Sequence, residues 1–210
     1  MSISAVQEKK ADVSFRKTEA PANERPISWK KFEKEYLGRE DEYKYEWVRG
    51  YVEKTNRAME PYQIYLQRNL LLLFHKLLFD GKVHGQLIAE GDLLFFKNLH
   101  RRPDMSWLTD EQTDRLAEPG AIEVPLFLIE VISKNDSSEY LENKMDEYRA
   151  AGVQAVWHIF PRAKAVHVYT GNDMREMTVC KGDDLCSAAP ALPGFTVTVN
   201  DIFKKITKPV

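Results

Sequence analysis

Cysteine is scarce: the 210 residues contain two, Cys180 and Cys186. With no second pair and no nearby His-x-x-x-His, they can complete neither a tetrahedral zinc site nor a disulfide framework, so reduced thiols are expected. No apolar run approaches the roughly eighteen residues that a bilayer span needs, and the N-terminus has no basic, apolar, small-residue signal. These absences predict a cytoplasmic protein with no membrane attachment. An excess of one charge is missing too. Thirty Lys and Arg stand against 32 Asp and Glu, a net charge of -2, so charge alone does not announce a phosphate-gripping surface. Local distribution matters more than the sum, and thirty basic residues suffice to line one face. No internal repeat, low-complexity tract or linker breaks residues 28–206.

What is present is the composition of a packed domain. A hydrophobic fraction of 43% and a charged fraction of 30% exclude global disorder. A chain this long buries about 70% of its unfolded surface without staples. One domain over 26–210 is expected, after a flexible leader over 1–25 in which charge, Ser and Pro replace any apolar period. Ser28 then caps a short amphipathic helix carrying Trp29, Phe32, Tyr36 and Leu37, which Gly38 ends. Residues 45–52 read as a strand or hairpin about Arg49-Gly50. The leucine-rich run from Pro61 to Phe79 reads as a helix, apolar around much of its circumference and therefore largely buried. Extended pieces follow at 84–90, 92–96 and 103–108, then a polar loop over 109–121. The run Pro125 to Ile132 suggests a central strand buried on both faces. Asp136 and Glu139 have capping-box spacing for a helix to about Ala151, ended by Gly152. Strands at 155–160, 165–169 and 176–180 and a last helix over about 200–206 complete an α/β order, a central mixed sheet flanked by helices.

Glu130 carries most information. A carboxylate inside a buried strand costs several kcal/mol unless a cation compensates it. Strand periodicity puts Ile132 and Lys134 on its side, about 6.6 Å per two residues, so the Ile132 backbone carbonyl can face the same ion. Asp104, after Pro103 on an extended piece that can lie beside the Glu130 strand, adds a second carboxylate. Two carboxylates, a carbonyl and waters suit Mg2+, with Mn2+ as a substitute. Lys144 falls three residues after Leu141 and four before Tyr148, at the apolar edge of its helix, where an inward ammonium needs a partner. Beside a metal-bound pair of carboxylates it could polarise water and stabilise charge on a phosphate under attack. Glu46, on the early hairpin, could assist. The bland alternatives are a buried ion pair of Glu130 with Lys134 or Lys144, a snorkelling Lys144 and a surface Asp104. Lys134 is a reserve for the lysine role. Arg101 and Arg102 either touch phosphate or decorate a solvated turn. His75, His84, His100, His158 and His167 share no ligand spacing and read as surface or packing residues.

Pro103-Asp104 and Glu130-Val131-Ile132 resemble the Pro-Asp and Glu-x-Lys marks of the PD-(D/E)XK nucleases, with Ile132 where the motif lysine stands and Lys144 on the following helix in its place. More narrowly, EVISKNDSSEYLENKMDEYRAAGVQAVWHIFP (130–161) is similar to the signature of the Uma-type restriction endonuclease family. YEWVRGYV around Glu46 and LPGFTVTVNDIF near the end resemble its flanking blocks, so the likeness covers about 28–206. It implies a restriction-endonuclease-like core, a metal-dependent endonuclease acting on DNA, and a catalytic set of Glu46, Asp104, Glu130 and Lys144, with Ser133 shaping the turn after the strand. The chain departs from the pattern at Phe160, where the family often has Asp in Trp-x-x-Asp-Pro, and at Tyr62-Gln63, where it often has His. Rival readings are a non-catalytic relative that binds DNA or a protein, and a nuclease specific for junctions or ends. A homodimer is expected by analogy with enzymes that cut two strands.

Overall fold

The structure, a computed structural model, describes residues 25–56, 61–118 and 120–205. Apart from Arg25, the expected leader lies outside them. Helix α1 (Trp29–Glu35) starts where Ser28 accepts a hydrogen bond from the Lys31 amide. Strands β1 (Tyr43–Val48) and β2 (Tyr51–Asn56) form the anticipated hairpin. Its two-residue loop holds Arg49 and Gly50 at φ 51° and 94°, the doubly left-handed turn whose twist matches the flanking strands.

Helix α2 (Pro61–Phe79) spans the leucine-rich run. It buries one stripe, Leu66, Leu70 and Phe74, and leaves Ile64, Leu72 and Phe79 exposed. The expectation of a largely buried helix is thus corrected, because only one side meets the sheet. Then come β3 (Gln86–Ala89), β4 (Leu93–Phe96), β5 (Leu99–Arg101) and β6 (Met105–Leu108). The polar loop contains a helix, α3 (Asp110–Arg115), opened by a reciprocal capping box between Thr109 and Gln112. The chain continues through β7 (Phe127–Val131), α4 (Ser138–Ala151), β8 (Ala155–Phe160), β9 (Ala165–Thr170) and β10 (Glu176–Lys181). Pro193-Gly194 lies inside a strand: β11 (Leu185–Ala188) and β12 (Leu192–Thr198) make a hairpin before the short helix α5 (Val199–Ile202). That helix ends sooner than expected, and Ile206 lies outside the described residues.

Six strands form the main sheet in the order β10-β9-β8-β7-β6-β3, and a second sheet runs β2-β1-β5-β4. In the main sheet only β7 and β8 pair in parallel, joined by α4 as a crossover; the rest are antiparallel. Every residue of β7 is buried. Alternation sends Phe127, Ile129 and Val131, with Trp157 and Ile159 of β8, into the core shared with α2, whereas Leu128 and Val156 meet Met145 and Tyr148 of α4. Glu130 has the parity of Leu128 and therefore faces α4. This is an α/β fold with a central mixed sheet flanked by helices.

Candidate active site

Strand register assembles the acidic pair. Met105 of β6 lies opposite Ile129 of β7, and continuing that antiparallel pairing by one residue sets Asp104 across from Glu130. Glu130 is paired in turn with His158, and His158 with His167. Cross-strand partners share a face, so Asp104, Glu130, His158 and His167 make one row across the sheet under α4. Asp104 is also tied to the backbone, its Oδ2 accepting from the Val131 amide at 2.6 Å.

Helix α4 supplies the cation. Ser137 caps it by accepting from the Tyr140 amide, and Gly152, at φ 92°, ends it with the expected left-handed cap. The anticipated Asp136 to Glu139 capping box does not form. Asp136 instead accepts from the Ser133 amide at 2.7 Å, and Ser133 Oγ accepts from the Asn135 amide, which closes the turn after β7. Tyr140, Lys144 and Tyr148 recur every four residues, so one stripe of the helix points at the acidic row. Lys144 Nζ sits 2.7 Å from Glu130 Oε1, and the Tyr148 hydroxyl donates to the same oxygen. Tyr140 donates to Glu46 Oε2 at 3.4 Å. Lys144 is 4% exposed, which removes the snorkelling alternative. Lys134 is exposed in the turn and makes no ion pair with Glu130, so it drops out as the reserve lysine. The buried pair of Glu130 with Lys144 and the proposed catalytic arrangement are the same contact.

Glu46 enters from the second sheet. Its Oε1 accepts from the Arg102 amide at 2.7 Å and its Oε2 from Arg101 Nη1 at 3.0 Å. Arg101 is not a phosphate contact or a solvated residue. It is 1% exposed and bonds three glutamates, Glu46, Glu53 and, through Nε and Nη2 at 2.8 and 2.7 Å, Glu147. Glu46 and Glu53 face each other across β1 and β2, a like-charge pair that costs stability unless a cation such as Arg101 lies between. Arg102 is half-buried on Glu90. Sequence reading also passed over Lys44, whose Nζ lies 3.8 Å from Asp104 Oδ1. Lys44 precedes Glu46 by two residues, and that parity, which puts both on one face of β1, was the available signal.

These contacts set the charge states. Burial alone would raise the Glu46 carboxyl, but Lys144, Arg101 and Lys44 hold it well below the usual carboxylate range. Glu130 is likewise held low against its burial by Lys144 and Lys44. Asp104 goes the other way: burial and the neighbouring Glu130 outweigh Lys44 and push it up to about 6. Lys144 remains an ammonium, since Glu130, Tyr140 and Tyr148 overcome the effect of burial. His158 is pushed down to about 4 by burial, so it is neutral at pH 7 and, with His167, offers no cation to the row. Phe160 packs on His167 with ring centroids 4.4 Å apart.

Comparison with known proteins decides the family: the model for Uma2, described as "Putative restriction endonuclease", matches residues 29–200. The chain belongs to the Uma2 family. A crystal structure of a "putative nuclease belonging to DUF820" from Anabaena variabilis superposes on this Uma2 chain with a TM-score of 0.68 at 19% identity, covering 85% of this chain and 98% of that one. The two chains therefore share a fold. No curated protein matches the chain. Among the described residues of this Uma2 protein, no helix is long and apolar enough to cross a membrane, and no group of three or more His, Cys, Asp and Glu is placed to hold a metal ion. The oxygens near one another are those of Asp104 and Glu130, and burial, with the neighbouring Glu130, holds the Asp104 carboxyl up against the pull of Lys44. Two hard carboxylate donors fit a magnesium-type ion that keeps most of its waters.

Proposed function

We propose that this chain is a metal-dependent endodeoxyribonuclease that hydrolyses phosphodiester bonds at Asp104, Glu130 and Lys144, with Glu46 assisting. The observation that carries the reading is the Lys144 ammonium 2.7 Å from Glu130, on the strand residue facing Asp104 across β6 and β7.

Asp104 and Glu130 would hold Mg2+ or Mn2+, with the Ile132 carbonyl, two residues along from Glu130, as a further donor. The ion, when bound, supplies electrophilic stabilisation of the negative charge that builds on the phosphate. Lys144 stays protonated, so it acts by donation rather than as a base: it orients a water and offers positive charge to the phosphate oxygens. Tyr148 and Glu130 fix where that ammonium sits. Glu46 stays ionised, held by Arg101 and the Arg102 amide, and is available to accept a hydrogen bond from the same water. The low exposure of Glu46, Glu130 and Lys144, from 1% to 7%, strengthens each of these interactions relative to water.

The test incubates the protein with supercoiled and linear DNA in magnesium, manganese or chelator, beside Asp104→Asn and Lys144→Ala. The expected result is cutting that needs metal and is lost in both variants. If the wild type cuts no DNA with any metal and shows no saturable metal affinity, the reading fails in favour of a binding module on a nuclease fold.

A further inference from the structure

We infer that Lys44 is a phosphate-binding residue of this site, held on Asp104 until substrate arrives and there taking the place of a second metal ion. The inference rests on the proposed nuclease reading and deepens it.

In-line displacement at phosphorus has two oxygens to stabilise, the attacking and the departing one, and two-metal enzymes commit one ion to each. Two ions need more donors than this site offers. Glu46 already takes three hydrogen bonds, from the Arg102 amide, Arg101 and Tyr140, which leaves it room for a water but not for direct contact with an ion, and so leaves Asp104 and Glu130 for one ion. Lys144 is committed to Glu130 at 2.7 Å. Lys44 is not committed in that way. Its ammonium is 3.8 Å from Asp104 Oδ1, beyond the roughly 2.7–2.9 Å of a formed charge-assisted hydrogen bond. Its backbone is fixed in β1 opposite Thr55, while four rotatable carbons carry the charge, and the side chain keeps 16% exposure. A loosely held ammonium on a rigid strand, beside a carboxylate that is itself 21% exposed, can follow a phosphate. Binding of a divalent ion by Asp104 repels it, and a phosphodiester next to that ion is the nearest negative charge to receive it. A phosphate contact is then made by a point charge that needs no ligands of its own.

The experiment measures anisotropy of a labelled DNA duplex with the full chain in calcium at low temperature, over a salt series, with the duplex checked for intactness on a gel. Wild type, Lys44→Met and Lys44→Arg are compared, with Lys44→Gln as a second neutral variant should methionine impair folding. Loss of one phosphate contact lowers the slope of log K against log salt by about 0.9. That drop is expected in the neutral variants and not in Lys44→Arg. Calorimetric calcium affinity of Lys44→Met should equal or exceed that of the wild type, since an ammonium beside two carboxylates opposes a cation. An unchanged salt slope overturns the inference even if cutting slows, and so does weakened calcium binding, which marks Lys44 as a structural prop. If the wild type itself binds neither calcium nor DNA, the nuclease reading fails before any Lys44 variant is made, and the two failures are told apart.

Discussion

Asp104→Asn should make the metal-free protein more stable at neutral pH, although it removes a proposed catalytic group. In the fold Asp104 ionises at about 6 instead of its ordinary 3.8. A carboxyl raised in this way binds its proton more tightly folded than unfolded, so stability falls as pH rises from about 4 to about 6 and the loss persists above that. At 1.36 kcal/mol per pH unit the ionised form costs the fold about 3 kcal/mol at pH 7.5. Asparagine keeps an oxygen for the Val131 amide and never ionises. His158 has the opposite sign. It titrates at about 4 when folded against an ordinary 6.5, so its contribution grows as pH rises from about 4 to 6.5 and masks that of Asp104 in the wild type. Glu147, which burial raises, sides with Asp104, and His167, which burial lowers, sides with His158. Glu46 and Glu130, held low, weaken the fold only as pH drops below about 4.5.

The difference between variant and wild type cancels all of these but Asp104. Urea unfolding followed by tryptophan fluorescence, in chelator, should show the two proteins alike near pH 4 and Asp104→Asn ahead by about 3 kcal/mol at pH 7.5. If the proposed site binds magnesium, the ion at a hundred times its Kd should restore about 2.7 kcal/mol to the wild type alone. A gap that does not change with pH, or a variant weaker than the wild type at pH 7.5 in chelator, would refute the reading that burial, aided by Glu130, raises Asp104.

Other perturbations follow from the same contacts. Lys144→Met strands Glu130 without its cation and should cost about 3–5 kcal/mol, whereas adding Glu130→Gln should recover most of it; unfolding of the two variants in parallel measures this. Tyr148→Phe deletes a buried hydrogen bond to a carboxylate, worth about 1.5–3 kcal/mol, and should weaken metal binding in calorimetry by letting Glu130 and Lys144 shift. Arg101→Met exposes three glutamates to one another and should unfold the protein at neutral pH, with partial recovery on acidification, read by circular dichroism. Trp157→Ala, in the core opposite the site, should cost about 3–5 kcal/mol and lower Tm without altering the metal dependence of any cutting.

Legibility followed the range of the interactions. Glu130 was conspicuous because a single charge interrupts an apolar strand, and all of β7 is indeed buried. Lys144 was readable from helical spacing alone, since i and i+4 fix which side of α4 it shares with Tyr148. Local signals failed where two were in competition. Asp136 and Glu139 imitate a capping box, but Ser137 wins the cap and Asp136 is drawn back to the Ser133 amide. The genuine capping box, Thr109 with Gln112, was hidden in a stretch too polar to suggest packing. Pro193-Gly194, a dipeptide that usually punctuates turns, lies within β12. Arg101 defeated sequence reading for a different reason. Its partners come from β1, β2 and α4, 46 to 55 residues away, and no local period announces a charge balanced that remotely. Lys44 needed the same knowledge, that β5 brings the hairpin of β1 and β2 up to the main sheet.

That junction explains why the site costs stability and is nevertheless held in place. Glu46 and Glu147 are both bonded to Arg101, and Glu46 also meets Tyr140, which with Lys144 belongs to α4. The second sheet and the crossover helix are thus locked together through buried charges as well as through apolar contact, in which Phe95 packs on Tyr148, and the charged lock ends within one helical turn of Lys144. Such a lock is weak as a source of net stability, since well-packed apolar residues of similar volume are often neutral or better. Its geometry is exacting, however, because the planar guanidinium fixes the directions of the carboxylates it binds. With Arg101 pinning Glu46 and Val131 pinning Asp104, the Lys44 ammonium, 3.8 Å from Asp104, is held more loosely than either carboxylate, as the proposed role of following a phosphate requires.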